Sequence, residues 1–218
     1  PFALRYCTLV KLCIVTGIFE PESGGPATYT PKLAHELVGL GHEVTVVTFS
    51  GADTSNTSYS FRLVRVRRGN KLLNRVRFFF AVLPHIARCD AAYLIDYFAA
   101  GFPAYIAARL LGKPYAVRVG GDYLWEQKYL ESGKEPMPLS DFYAKKLHER
   151  PEYATYVSVI HRVLAGAKHV VFNAQKMREL YSAHWHVSSE KSLVIENPVP
   201  RIEVSHMRRD AATREFVY

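Results

Sequence analysis

The sequence predicts an α/β protein with a doubly wound, mostly parallel sheet flanked by helices. Short apolar segments rich in β-branched residues alternate with amphipathic segments along nearly the whole chain. This alternation is typical of parallel sheets built from β–α units. The chain has 218 residues, of which 49% are hydrophobic, enough to bury a full core. We expect ligands beyond the carboxyl ends of the strands, where open parallel sheets bind them.

The first strand–turn–helix unit carries a pair of glycines between the strand and the helix. A buried strand is predicted over 11–16, and an amphipathic helix follows Gly24 and Gly25. Glycines at this point let backbone N–H groups approach an anion such as phosphate, or they only form a tight turn. Because proline disrupts a helix interior, either the helix begins at Thr30 and Pro31 or its first turn is kinked.

The other predicted elements continue the alternation. The strand at 61–66 alternates apolar with basic residues, so we expect it near a sheet edge with one face in water. The next helix is expected to end or kink near Pro84, and Asn173 is a suitable cap for the last helix. Strands are also predicted over 43–49, 91–95, 115–119, 168–172 and 192–195, and helices over 99–111 and 152–164, with helical pieces within 123–150 and an apolar helical stripe at Leu72, Val76, Phe79, Leu83 and Ile86.

Glycines and polar residues follow several of these strands. Because parallel strands end at one edge of a sheet, we expect the residues that follow them to lie along a single rim. The candidate site is this rim and not one motif. The residues concerned are Gly24, Gly25, Asp96, Tyr97, Gly120, Gly121, Asp122 and Asn173.

The charge of the chain favours anionic partners. The formal net charge is +8 and the pI is about 9.4, which suits phosphate groups or a membrane surface. Nucleic acid is not predicted, because no zinc-finger spacing or RNA-binding aromatic motif accompanies the charge. Arg75 and Arg77, together with Phe78 and Phe80, suit a peripheral contact with anionic lipid. The alternative is a solvated basic face above an aromatic core face.

Cysteine usage predicts the compartment. Cys7, Cys13 and Cys89 are an odd number without metal-ligand spacing, which favours reduced thiols and indicates no metal site. No apolar run reaches the length needed to span a bilayer. We therefore expect a cytoplasmic protein, peripheral at the inner face of the membrane if it contacts lipid.

Several segments resemble, in order and spacing, the amino-terminal half of a family 4 (group 1) glycosyltransferase, a retaining enzyme of the GT-B fold. The resemblance covers 11–218. It rests on the loop ending in Gly24 and Gly25, on 41–48, on 119–126, and on 195–199, which is similar to the family's crossing segment into its second domain. It implies a Rossmann-like acceptor-binding domain over 1–200. Over 201–218 it implies an interdomain segment and the start of a truncated donor-binding domain.

The resemblance implies a glycosyltransferase of the hexosyltransferase type. Such an enzyme moves a sugar from a nucleotide-diphosphate donor to an acceptor hydroxyl, on a glycan or a lipid-linked sugar, without metal or other cofactor. Cell-envelope polysaccharide synthesis is a typical setting. The second domain would hold most of the donor, so this chain alone is expected to be inactive. Gly24 and Gly25 match the loop whose amides face the donor phosphates, and Gly24→Val is expected to impair the enzyme with little effect on the fold.

The resemblance also implies roles for the rim residues. Asp122 lies near the point where many members place a histidine, which makes it the candidate catalytic residue; the alternative is a helix cap. Trp125 either lines the acceptor pocket or belongs to the core. The acceptor-binding candidates are Asp96, Tyr97, Gly121, Trp125, Glu126 and Asn173.

Two other functions are compatible with a sheet of this kind. A nicotinamide-dependent dehydrogenase is disfavoured, because the Gly-x-Gly-x-x-Gly fingerprint is missing after the first strand. A non-catalytic binding module for a phosphorylated ligand or an anionic membrane stays open.

Overall fold

The structure is a computed structural model that describes residues 9–50 and 58–197. Within these ranges seven strands form one sheet, in the order β3-β2-β1-β4-β5-β6-β7, and every neighbouring pair is parallel. The predicted doubly wound α/β fold is confirmed; the interdomain segment predicted over 201–218 lies outside the described residues. The strands are β1 (Lys11–Thr16), β2 (Glu43–Ser50), β3 (Arg62–Arg67), β4 (Ala91–Leu94), β5 (Tyr115–Val119), β6 (His169–Phe172) and β7 (Ser192–Val194), and the helices are α1 (Gly25–Gly39), α2 (Lys71–Arg88), α3 (Gly101–Leu110), α4 (Leu139–Ala144), α5 (Ala154–Gly166) and α6 (Gln175–Trp185).

The core lies on both faces of the sheet. In the central strand β1, Cys13 and Val15 belong to one apolar cluster and Ile14 to another. Because successive side chains of a strand point to opposite faces, the two clusters cover the two faces. The edge position predicted for the strand at 61–66 is confirmed, since among the described strands β3 pairs only with β2, and it keeps Arg62 exposed and Val66 buried.

Helix α1 begins at the glycine pair. Its first residue is Gly25, with Gly24 at the cap position, and it continues through Pro31. The first turn closes through a hydrogen bond of 3.1 Å from the amide of Thr28 to the carbonyl oxygen of Gly24. The later start at Thr30 is therefore excluded, and the N-terminus of the helix lies at the glycine pair.

Helix α2 excludes one of the sequence-based alternatives and corrects a second prediction. It runs through Pro84 to Arg88, so of the two alternatives stated for this proline, an end of the helix is excluded. Its buried face carries Phe78, with Val82 and Ile86 behind it, while Val76 is exposed. The ring centroid of Phe78 lies 4.4 Å from that of Phe49 in the core. The prediction that Phe78 contacts a membrane is therefore wrong.

Residues 123–153 form a string of short helical turns above the sheet. A π-helical turn (Leu124–Tyr129) is followed by a 3-10 turn (Leu130–Ser132), α4 and two further 3-10 turns. The segment is held by burial of its aromatic residues, because Tyr129, Phe142, Tyr143 and Tyr153 all belong to the core. Within the described part of the chain, none of the helices has the length and apolar character needed to cross a membrane.

Candidate functional site

A cleft of about 630 Å³ opens where the strands β1, β4, β5 and β6 end. The start of α1 forms one side of it, and the loops after β4 and β5 form the other. The structure thus brings most of the predicted rim residues to one cavity. Those that line it are Gly24, Gly25, Asp96, Tyr97, Gly120, Gly121, Glu126 and Asn173, whereas Asp122 and Trp125 are not among the lining residues.

The N-terminus of α1 faces the cleft without a side-chain cap. Gly24 has no side chain with which to cap the helix amides, and the first turn holds no acidic residue. The first amides of a helix have no partner within it, and the helix dipole adds a partial positive charge there. The amide of Gly25 is therefore available to an anion in the cleft; Pro26 has no N–H, and Ala27 is 1% exposed and does not line the cleft.

The two glycines tolerate substitution differently. Gly24 has a φ of 147°, which favours glycine, and a Cβ there would lie 2.6 Å from Cδ1 of Ile18. A Cβ on Gly25 would meet nothing within 4 Å. The backbone conformation of Gly24 argues against the expectation that Gly24→Val leaves the fold almost unaffected, whereas a side chain at Gly25 meets no steric obstacle.

Arg68 holds the loop between β1 and α1. Its Nη2 donates to the carbonyl oxygen of Gly17 at 2.8 Å, and its Nη1 lies 3.0 Å from Oε1 of Glu22. The hydroxyl of Tyr59 donates to Oε1 of Glu20 at 2.8 Å. These contacts fix the loop that leads to the glycine pair. The sequence assigned no role to Arg68, because its partners lie 46 and 51 residues away.

Asp96 caps α3. One carboxylate oxygen accepts the amides of Phe98 at 3.0 Å, and of Ala100 and Gly101 at 3.1 Å each. Burial raises the pKa of the Asp96 carboxyl, and the donating amides act in the opposite direction. Asp96 lines the cleft, as its predicted place on the rim requires. Its carboxylate, however, already accepts hydrogen bonds from the amides at the start of α3.

Asp122 is almost completely buried, at 1% exposure. Its Oδ1 accepts the amide of Trp125 at 2.9 Å, the i to i+3 pattern of a helix cap. Its Oδ2 accepts the hydroxyls of Tyr143 at 2.6 Å and Tyr181 at 2.9 Å. Burial and the Asp122 charge raise the pKa of both tyrosines, so their hydroxyls stay protonated as donors. The geometry is that of the alternative stated for Asp122, a cap that fixes the loop after β5.

Tyr97 extends this network to the cleft. Its hydroxyl accepts the amide of Tyr123 at 2.8 Å, and it lies 3.1 Å from the carbonyl oxygen of Gly121 and 2.9 Å from the hydroxyl of Tyr181. Burial, followed by the Asp122 charge, raises the pKa of Tyr97 well above its ordinary value. Tyr97 therefore holds the loop that forms one wall of the cleft.

Glu126 presents a carboxylate to the cleft. Its Oε1 accepts the amide of Asp122 at 3.3 Å. A Cβ on Gly121 would collide with this carboxylate, so a side chain there would displace the flexible end of Glu126. Burial raises the pKa of Glu126, as does the nearby charge of Asp122, while the amide hydrogen bond lowers it. Such a carboxyl can accept a hydroxyl hydrogen bond from a ligand.

The structure selects the core alternative for Trp125 and corrects the prediction for Asn173. Trp125 packs against the core, and its Nε1 donates to the carbonyl oxygen of Met137 at 2.9 Å; it does not line the cleft. Asn173 does not cap the last helix, because α6 begins at Gln175 with no side-chain cap bond. The Nδ2 of Asn173 instead donates to the carbonyl oxygen of Gly120 at 2.8 Å and so joins β6 to the cleft wall.

Among the cleft residues without a predicted role are Tyr29, Arg118 and Asn197. Arg118 is 4% exposed, and the ring centroid of Tyr29 lies 4.2 Å from its guanidinium carbon. The sequence signal that could have indicated Arg118 was a charged residue within an otherwise apolar strand, because charged residues are uncommon at buried positions. Within 9–50 and 58–197, no cluster of His, Cys, Asp and Glu side chains is arranged to hold a metal ion.

Comparison with known proteins identifies both a sequence family and structural neighbours. The family model described as glycosyl transferase 4-like domain matches residues 24–198. A glycosyltransferase from Rickettsia africae has a TM-score of 0.54 at 16% identity, covering 88% of this chain and 44% of its own. The Anabaena protein HepE, solved with UDP, has a TM-score of 0.57 at 15% identity, covering 88% and 44%.

A protein of Arabidopsis thaliana, solved with UDP, has a TM-score of 0.53 at 10% identity, covering 88% of this chain and 53% of its own. At such identities the likeness shows a shared fold. This chain therefore spans about half the length of these solved proteins. No protein of curated function matches the sequence.

Proposed function

The chain belongs to the glycosyl transferase 4-like domain family, and from this premise we propose that it is the acceptor-side part of a retaining glycosyltransferase of the hexosyltransferase type. The enzyme moves a sugar from a nucleotide-diphosphate donor to a hydroxyl of a glycan or lipid-linked acceptor, without a metal or other cofactor. The observation that carries this proposal is the uncapped N-terminus of α1 at Gly24 and Gly25, which opens into the cleft.

The proposed role of the glycine pair is to bind the donor diphosphate. As the glycosidic bond of the donor breaks, negative charge accumulates on the leaving diphosphate. Preorganised amides at the start of α1 would stabilise that charge without reorganising. The UDP complexes of the Anabaena and Arabidopsis proteins, which share this fold, support a nucleotide-linked donor.

The opposite wall of the cleft is proposed to bind the acceptor. Glu126 and Asn173 present a carboxylate and an amide, the groups with which proteins bind sugar hydroxyls. Gly121 and Tyr97 complete this wall. For Asp122 we propose a positioning role, because its carboxylate accepts three hydrogen bonds from the protein and holds the loop that carries Glu126.

A lipid-linked acceptor is favoured by the exposed face of α2. Leu73, Val76 and Phe80 are 56%, 51% and 65% exposed, and their spacing places them on one side of the helix. Arg77 is exposed beside them. The guanidinium of Arg75 lies 4.5 Å from the ring of Phe98, which lines the cleft. We therefore propose a peripheral contact of α2 with anionic lipid at the cytoplasmic face of the membrane, next to the site.

The test is donor turnover by the full-length protein and by this chain alone. UDP-, GDP- and ADP-linked sugars are incubated with each, and released nucleoside diphosphate is measured. We propose that only the full-length protein turns over a donor, because this chain covers 44% of the Rickettsia and Anabaena proteins. NMR of the product anomer checks retention of configuration. Full turnover by this chain alone would contradict the division of the site between two domains.

A further inference from the structure

Arg118 is a charged residue in the interior of the sheet. It lies on β5 between Val117 and Val119, which are fully buried, and is itself 4% exposed. β5 is paired on both sides, with β4 and with β6. Such strands are normally apolar, and arginine is seldom this buried unless it is paired with an acid.

The hydrogen-bond partners of the guanidinium are neutral. Its Nη2 donates to Oδ1 of Asn197 at 2.6 Å and its Nη1 to the carbonyl oxygen of Ile195 at 3.5 Å. The ring centroid of Tyr29 lies 4.2 Å from Cζ, and the hydroxyl of Tyr93 is also hydrogen-bonded to the side chain. Among the residues that the structure describes, no carboxylate forms an ion pair with Arg118. Its charge has no counterion there.

This uncompensated charge lies at the cleft. Arg118, Tyr29 and Asn197 line the same cavity as Gly24 and Gly25. A buried charge without a counterion is unfavourable, and a guanidinium has five N–H donors for which it seeks acceptors. An oxyanion in the cleft would supply a counter-charge and further acceptors. The planar fork of arginine matches the geometry of carboxylate and phosphate.

We propose that Arg118 binds an oxyanion, the carboxylate or phosphate group of a substrate held in the cleft, and so makes the site selective for an anionic ligand. The inference rests on the proposed function, because it specifies the substrate class of the same site. The oxyanion has two sources, the diphosphate of the donor or an acidic group on the acceptor sugar.

The experiment compares three proteins by titration calorimetry: wild type, Arg118→Gln and the control Arg162→Gln. Arg162 is exposed on α5 and does not line the cleft, so the control removes one positive charge elsewhere. The probes are UDP, glucose 6-phosphate and glucuronate, with glucose as the neutral reference. We expect Arg118→Gln to lower the affinity for the anion about tenfold or more. The anion affinity of the Arg162→Gln control and the response to glucose are expected to stay unchanged.

The pattern of loss identifies the source of the oxyanion. A loss confined to UDP supports the donor diphosphate, a loss confined to the two sugar anions supports an acidic acceptor, and a loss for both supports one subsite that serves each in turn. Equal affinities in wild type and Arg118→Gln would overturn the proposal. So would the absence of anion binding by wild type.

Two further variants separate binding from folding. Arg118→Lys keeps the charge without the fork, so we expect it to fold and to bind the anion several-fold more weakly. Arg118→Met removes an uncompensated charge, so we expect a thermal midpoint equal to or above that of wild type. A lower midpoint with unchanged anion affinity would show that Arg118 only supports Ile195 and Asn197, and would overturn the proposal.

Donor turnover and anion affinity, measured side by side, distinguish this inference from the proposed function. If the full-length protein transfers sugar while anion affinity is indifferent to Arg118, only the subsite is refuted. If no donor is turned over while anion binding depends on Arg118, only the transferase proposal is refuted.

Discussion

The hydroxyl of Tyr143 donates a hydrogen bond of 2.6 Å to Oδ2 of Asp122, and both residues are almost fully buried. Tyr143 lies on α4 and Asp122 follows β5, so this contact joins the helical segment above the sheet to the loop that forms the cleft wall. A hydrogen bond to a charged carboxylate is stronger than one between two neutral groups, and the first prediction tests this contact.

We expect Asp122→Asn to lower the free energy of unfolding by about 2–3 kcal/mol, because it weakens charge-assisted hydrogen bonds from buried hydroxyls. Tyr143→Phe removes one of those donors. In urea denaturation the double variant is expected to show a coupling energy of about 1–2 kcal/mol. The control is Tyr153→Phe, because Tyr153 accepts a hydrogen bond from Lys134 instead. Its effect on stability is expected to be additive with that of Asp122→Asn. Additive effects of Asp122→Asn and Tyr143→Phe on the free energy of unfolding would refute the network.

The glycine pair allows a test of anion binding that is separate from folding. A side chain at Gly25 meets open space, so we expect Gly25→Val to keep its free energy of unfolding within about 0.5 kcal/mol of wild type. By obstructing the α1 amides, it is expected to slow donor turnover by the full-length protein about tenfold or more. Gly24→Val is expected to lose about 1–3 kcal/mol of stability from backbone strain. Wild-type turnover in a folded Gly25→Val protein would argue against diphosphate binding at α1.

His148 is expected to make the fold sensitive to acid. It is buried, its ring centroid lies 4.6 Å from that of Tyr143, and burial lowers its pKa below 6.5. A depressed pKa means that the unfolded state takes up a proton first as the pH falls. The stability from this group is therefore present above pH 6.5 and is lost below it, by up to about 1.4 kcal/mol per pH unit.

The measurement is urea denaturation between pH 7 and pH 5. His148→Phe is expected to flatten the loss of stability in this range, whereas His161→Phe, an exposed position on α5, is expected to leave it unchanged. The same slope in His148→Phe and wild type would exclude His148 as its source.

The exposed face of α2 predicts binding to acidic vesicles. Phe80→Glu and Arg77→Glu are each expected to reduce sedimentation with phosphatidylserine vesicles, Arg77→Glu by about fivefold or more, since each basic residue near the surface contributes about 1 kcal/mol. Leu40→Glu serves as control, because Leu40 is 63% exposed at the end of α1. If all three proteins sediment like wild type, the contact with lipid is not made by α2.

The hydrophobic pattern of the sequence predicted the strands, but it did not predict which face of α2 is buried. β1 and the edge strand β3 appear where the sequence predicts them, because burial on two faces or on one leaves a distinct pattern. In α2, an apolar run from Phe78 to Leu83 is compatible with several buried faces, and packing against Phe49 selects the one with Phe78. Pro31 and Pro84 lie inside helices because tertiary packing outweighs the local cost of proline.

The site was predictable as a rim but not as a set of contacts. The rule that ligands bind where parallel strands end brings Gly24, Asp96 and Asn173 to one cleft. The partners that decide the role of Asp122 are Tyr143 and Tyr181, which lie 21 and 59 residues further along the chain. No local pattern connects residues so far apart, so the capping network could only be seen in three dimensions.

The carboxylate of Asp96 at the start of α3 has a consequence for the direction in which a substrate enters. Both α1 and α3 begin at the cleft, but α3 already has the carboxylate of Asp96 at its start, while the first turn of α1 has no acidic residue. A second negative group would be repelled from α3 and attracted to α1. A ligand with a phosphate at one end and hydroxyls at the other is therefore expected to have a single favourable polarity, with its phosphate toward Gly25 and its hydroxyls toward Asp96.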